Sequence, residues 1–157
     1  MIKQVSPEQA LARLEQLCVR SEHCTGELRS KLRNWRIMPD DAETVIYSLK
    51  RRRFVDDERF TRAFVRDKYK LGHWGRQKIR MALRAKGIPA EMIDEAFDEI
   101  DPEEYEASLA YVVKAKARTI CDEDPYMRRQ KILRAVVARG FETSLAIKYI
   151  KLAFSAQ

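Results

Sequence analysis

Glycine and proline are scarce in this chain of 157 residues, with five of each. A loop-rich all-β domain needs more turn formers than that, so the shortage points to helices joined by short connections. No apolar run approaches the ~20 residues that span a bilayer, and the opening stretch MIKQVSPEQ lacks the apolar core of a secretory leader. The expectation is a soluble, cytoplasmic protein with no membrane partner. Cys18, Cys24 and Cys121 make an odd set without a CxxC pair, which argues against a disulfide framework. Cys18, His23 and Cys24 do not have the spacing of a zinc module, so no metal is expected. The two histidines, His23 and His73, sit in no recognisable catalytic arrangement, and no glycine-rich phosphate loop is present. Paired acids such as Asp40/Asp41 and Asp56/Asp57 lie at expected helix starts, where the macrodipole favours them. These shortages point away from an enzyme and from any cofactor.

Charge is what the chain has in quantity. The formal net charge is +7, which favours a polyanion or an acidic protein surface as partner. It is unevenly spread. Residues 59–86 hold ten Lys or Arg against one acid, Asp67, whereas residues 87–106 hold nine acids and no base.

An internal repeat organises the rest. ELRSKLRNWRI (27–37), KIRMALRAKGI (78–88) and KILRAVVARGF (131–141) align at a nearly constant offset. Each carries an apolar pair four apart (Leu28/Leu32, Ile79/Leu83, Ile132/Val136), followed five residues later by Ile37, Ile88 or Phe141. SPEQ (6–9) and DPEE (101–104) read as capping boxes with Pro at N1, and DDER (56–59) as an acidic N-cap. The expectation is all-α: three tandem three-helix repeats over 1–55, 56–100 and 101–157. Turns are expected at Gly26, Pro39, Gly72, Gly87, Pro89 and Gly140. An elongated, curved array is preferred over one compact bundle, since units of about 50 residues are marginal alone and stack on neighbours.

The basic segments are the candidate binding surface. On a helix from Trp74 to Lys86, Arg76, Arg80 and Arg84 line one flank, with Lys78 and Lys86 on the other. A row of guanidinium groups suits phosphates or carboxylates, and equally suits a solvated helix face. Trp74 and Tyr69 are suited to base stacking or to packing between units. Lys68 and Lys70 precede the turn. Arg51, Arg52 and Arg53 either complement a helix C-terminus or meet an acidic partner, and Arg128, Arg129, Lys131 and Arg134 make a third patch. The acidic helix carrying Glu91, Asp94, Glu95, Asp98 and Glu99 reads as a face for basic loops or as solvated surface.

FVDDERF (54–60) with FVRDKYKLGHWGRQKIRMALRAKGI (64–88) resembles the central repeat of the RecX regulatory proteins. ELRSKLRNWRI and KILRAVVARGF resemble that family's first and third repeats. One departure is visible: the family's frequent Gly-Tyr-Gly-Pro is here His73-Trp74-Gly75-Arg76, without the Pro that presets a helix start. The resemblance implies three tandem three-helix repeats and a modulator of the RecA recombinase in DNA repair; a monomer is the expectation. It implies binding to the recombinase filament on single-stranded DNA, to single- and double-stranded DNA, and inhibition of ATPase, recombinase and co-protease activities. A helix-turn-helix transcription factor is the alternative that three-helix units and basic second helices keep open.

Overall fold

The computed structural model describes residues 4–155, which form helices and turns without a strand. The helices are α1 (Pro7–Arg20), α2 (Thr25–Asn34), α3 (Pro39–Arg51), α4 (Asp57–Lys70), α5 (Arg76–Ala85), α6 (Ala90–Asp98), α7 (Pro102–Thr119), α8 (Pro125–Ala138) and α9 (Thr143–Ser155). Ser6 and Gln9 satisfy each other's backbone donors in a reciprocal capping box at 3.1 and 3.0 Å. Asp56 accepts from the Arg59 N–H at 3.0 Å. The box expected at Asp101 is only half formed. Asp101 accepts from the Glu103 N–H at 2.9 Å, but Glu104 turns away to the Tyr69 hydroxyl at 3.1 Å and the Lys70 ammonium at 3.4 Å. A charge-assisted pair outcompetes a return to one backbone N–H.

The repeat seen in the sequence is a repeat of buried side chains. Leu28, Leu32 and Ile37, then Ile79, Leu83 and Ile88, then Ile132, Val136 and Phe141 are all buried. Each such side chain contributes about 1.5–3 kcal/mol by leaving water. The turn after each second helix takes the left-handed conformation at equivalent positions: Arg36 (φ 59°), Gly87 (φ 83°) and Gly140 (φ 100°). Second and third helices are also tied alike. Arg29 meets Glu43 at 2.9 Å, and at the equivalent positions of the next repeat Arg80 meets Asp94 at 2.7 Å.

Two expected boundaries move. Gly26 lies inside α2, not in a turn. Helix α5 starts at Arg76 with Gly75 as N-cap, because His73 takes a left-handed turn (φ 53°) and the Gly75 and Gln77 N–H groups go to other carbonyls.

Those carbonyls belong to the next repeat. Gly75 N–H donates to Arg139 O at 2.8 Å and Gln77 N–H to Gly140 O at 3.0 Å. A β-carbon on Gly75 would lie 2.2 Å from the Gly140 carbonyl carbon, so the backbones touch. The first junction shows the same close approach one repeat earlier, where a β-carbon on Gly26 would lie 2.0 Å from Lys86 O. The N-terminus of α5 thus sits on the C-terminus of α8, and that of α2 on the C-terminus of α5. At the second junction donors of the α5 start meet the orphan carbonyls that end α8, whereas at the first the Thr25 N–H goes to the Asp57 carboxylate.

The cores are less evenly divided than the repeats. Ala10, Leu14, Leu28, Leu32, Ile37, Val45, Ile46, Leu49 and Val55 form one core inside the first three helices. Helices α4–α9 share a second, joined by Tyr105, Phe141 and neighbours from both repeats. The chain exposes 10391 Å², about a quarter more than the ~8,200 Å² of a compact monomer of 18.4 kDa. That excess is what an extended array produces.

Among the described residues, Cys24 is the one first-repeat side chain buried in the second core. Burial pushes its thiol up to about 11 from the usual 9.0. Below pH 9 the thiol is neutral folded and unfolded; between 9 and about 11 only the unfolded chain ionises it, so stability falls as pH rises through that window. Cys24→Ala is expected to flatten this part of the profile, read as urea midpoints below pH 9 and near 11 for both proteins.

Candidate functional site

The basic segment from α4 to α5 is built around Trp74. With its backbone reversed at His73, the indole falls half-buried against Phe64, ring edge to face at 6.4 Å. Lys68, in the last turn of α4, places its Nζ 4.8 Å from the indole centroid, and Lys78, in the first turn of α5, places its own 4.3 Å away. Three candidates from the sequence, Lys68, Trp74 and Lys78, therefore form one cluster. Its ring is already covered by cations, so a base would have to displace a lysine to stack on it.

The expected arginine row divides into three fates. Arg76 is half-buried at the junction. Its guanidinium lies 3.9 Å from the Tyr105 ring centroid and 3.3 Å from Glu142 of the third repeat. The Tyr105 hydroxyl accepts from Arg76 N–H at 3.0 Å and donates to Glu142. Burial, then the Glu142 carboxylate beside it, raises this phenol well above its ordinary value. Arg80 pairs with Asp94 and lies over Phe97 at 5.0 Å, tying α5 to α6 as Arg29 ties α2 to α3. Arg84 alone is exposed, with no acid at ion-pair distance among the described residues. Sequence spacing put all three on one flank, but two of them have partners inside the fold.

The remaining candidates are scattered. Lys86 holds Glu27 at 3.4 Å across the first junction. Burial opposes ionisation of Glu27, yet the Cys24 N–H and the Lys86 and His23 charges outweigh it and hold the carboxyl below its ordinary value. Lys70 reaches Glu104, away from Trp74. Arg51 is exposed at the end of α3, Arg52 pairs with Glu15 and covers Phe54, and Arg53 carries the left-handed turn (φ 59°). Of the third patch, Arg128 spends its guanidinium on the Ile120 and Ala117 carbonyls, and Lys131 on Asp122 at 2.8 Å. Arg129 lies over Phe154, while Arg134 is exposed.

Two features escaped the sequence reading. Arg33 occupies in α2 the position of Arg84 in α5 and is likewise exposed without an acid partner among the described residues. The offset between the first two repeats would have found it. His73 stacks on Tyr111 of α7, a pairing between repeats that no local pattern announces.

Known proteins can be set beside this geometry. Residues 56–96, helix α4 to most of α6, match the family described as RecX, second three-helix domain. The chain is 30% identical to a regulatory protein RecX of Thermus thermophilus over 92% of both chains. It is 30% identical to one of Prosthecochloris aestuarii over 78% of both. Identity to one of Clostridium beijerinckii is also 30%, over 80% of this chain and only 59% of that relative's length. Two crystal structures share the fold. A regulatory protein RecX superposes with a TM-score of 0.84 at 21% identity, covering 91% of this chain and 72% of that one. RecX from Lactobacillus salivarius superposes at 0.79 and 16%, covering 92% and 94%.

Proposed function

Because the chain belongs to the RecX family of regulatory proteins, we propose that it binds the RecA recombinase filament on single-stranded DNA and restrains its ATPase, strand-exchange and co-protease activities. The observation that carries this reading is the end-to-end succession of second helices α8, α5 and α2. Such a succession presents equivalent positions at a regular interval, and a filament is the kind of partner that offers equivalent sites at a regular interval. Arg33 and Arg84 are the exposed cations at one such pair of positions. They would meet DNA phosphates or acidic recombinase loops, helped by Arg51 and the Lys68–Trp74–Lys78 cluster. No helix among the described residues is long and apolar enough to cross a membrane.

ATP hydrolysis by the cognate recombinase on single-stranded DNA tests the proposal, and unchanged hydrolysis at stoichiometric protein sinks it. Reversing Arg33 and Arg84 to Glu leaves the described ion pairs intact, so helix content is expected to hold. The concentration for half-inhibition should rise about tenfold, as expected for two lost charge contacts of about 0.7 kcal/mol each. Arg80→Glu is a poor substitute, since it removes a bond that holds α6.

A further inference from the structure

Among the described residues ten large apolar side chains are exposed, and three of them are tyrosines: Tyr47, Tyr111 and Tyr126. Tyr111 differs from the other two in having a second ring beneath it. It is 59% exposed, and the His73 imidazole lies parallel to it, with centroids 4.4 Å apart and planes at 23°. Neither Tyr47 nor Tyr126 has an aromatic neighbour among the described residues.

The lower ring is held from several sides. His73 has a left-handed backbone, uncommon for a residue with a side chain. The buried Ser108 hydroxyl donates its only proton to Tyr69 O at 3.1 Å, so at 2.9 Å it accepts from His73 Nδ1–H. The Arg139 guanidinium, from the end of the third repeat's second helix, bonds the Gly72 and His73 carbonyls. None of these bonds involves Tyr111 itself. They fix the surface on which it rests.

Beside the stack is an open depression of about 370 Å³ between α4 and α7, lined by Tyr69, Lys70, His73, Glu104 and Tyr111 among others. Three and seven residues beyond Tyr111, Lys114 and Arg118 are exposed on the same side of α7, with no acid at ion-pair distance among the described residues. A rigid ring with one face supported and cations along its helix is what sequence-tolerant binding of an unpaired strand uses: a π-face for the base and positive charge for the backbone. Trp74, the stronger candidate by sequence, is covered by Lys68 and Lys78 and offers no such face.

We infer that the Tyr111–His73 stack is a platform for a base of single-stranded DNA, with Lys114 and Arg118 taking the adjoining phosphates. The inference rests on the nucleic-acid part of the reading above and names the site. Duplex bases are already stacked on each other and cannot reach it.

The test is anisotropy of labelled oligo(dT) and of an abasic strand of equal length, with wild type, Tyr111→Phe and Tyr111→Ala. The platform predicts that Tyr111→Ala binds oligo(dT) about tenfold more weakly, that Tyr111→Phe binds nearly as wild type, and that the abasic strand does not distinguish the three. An unchanged affinity of Tyr111→Ala for oligo(dT) overturns the platform and leaves the regulatory reading standing. An equal loss on the abasic strand also overturns it, because the contact is then not to a base. Normal DNA binding with lost inhibition of the recombinase would assign the ring to a protein surface and overturn it too. Tyr111 is exposed, so the variants should melt with wild type, which a thermal scan checks.

Discussion

Gly140→Val is expected to destabilise the shared core of the second and third repeats by more than about 4 kcal/mol. Two costs combine. Gly140 has φ of 100°, a conformation in which a β-branched residue costs about 1–3 kcal/mol. Its β-carbon would also stand 2.5 Å from Lys78 N, 2.5 Å from Lys78 Cβ and 2.9 Å from Gly75 O. The neighbours are mostly backbone of α5's first turn, and that turn cannot retreat without breaking the bonds from Gly75 and Gln77 to the Arg139 and Gly140 carbonyls. Gly87 supplies the control. It occupies the equivalent turn with φ of 83°, but a β-carbon there meets nothing within 4 Å. Gly87→Ala should therefore cost only about 1 kcal/mol, from the left-handed backbone alone. Urea unfolding of the two variants and the wild type reads the difference. Equal losses would mean that the close approach of the two backbones contributes nothing.

These two glycines also mark the line between what could be read from the chain and what could not. The apolar triplets Leu28/Leu32/Ile37, Ile79/Leu83/Ile88 and Ile132/Val136/Phe141 are local patterns, and local patterns survive without tertiary information. The caps at Ser6 and Asp56 are local as well. The junctions are not. Gly140 looks like an ordinary turn glycine until the chain folds it against Gly75 of the neighbouring repeat. Arg76 likewise belongs to a helical row by spacing, and only the fold supplies Tyr105 and Glu142 as its partners. Arg80 is an intermediate case. Its bond to Asp94 repeats that of Arg29 to Glu43 at the same offset, so aligning the acids as well as the apolar residues would have exposed it. Tyr111 gave no signal, because its distinction lies entirely in the ring placed under it.

Asp57→Ala should separate the first repeat from the rest of the molecule. The Asp57 carboxylate, in the first turn of α4, accepts from the Thr25 N–H at 2.8 Å and from the Thr25 hydroxyl at 2.6 Å. Thr25 is only 4% exposed and begins α2, so its N–H has no partner within the helix. Removing the carboxylate leaves two polar groups buried and unpaired, at about 1–3 kcal/mol each. Besides the Cys24 side chain buried in the second core, the other polar ties across this junction are weaker. Glu22–Arg59 at 2.8 Å and Glu27–Lys86 at 3.4 Å are both partly solvent-exposed; pairs of this kind contribute up to about 1 kcal/mol each. The first repeat keeps its own core around Leu14, Leu28 and Leu32, so it loses its neighbour without losing its interior. The two tryptophans sit on opposite sides of the junction, Trp35 in the first repeat and Trp74 in the second. Single-tryptophan proteins made with Trp35→Phe or Trp74→Phe can therefore follow the halves separately. In the Asp57→Ala background the Trp35 transition should fall by on the order of 10 °C while the Trp74 transition moves little. On the proposed function, inhibition of the recombinase should weaken with it, because Arg33 then no longer keeps a fixed place relative to Arg84. A common drop of both transitions would instead show that the three repeats unfold as one unit and that the division between the two cores has no thermodynamic counterpart.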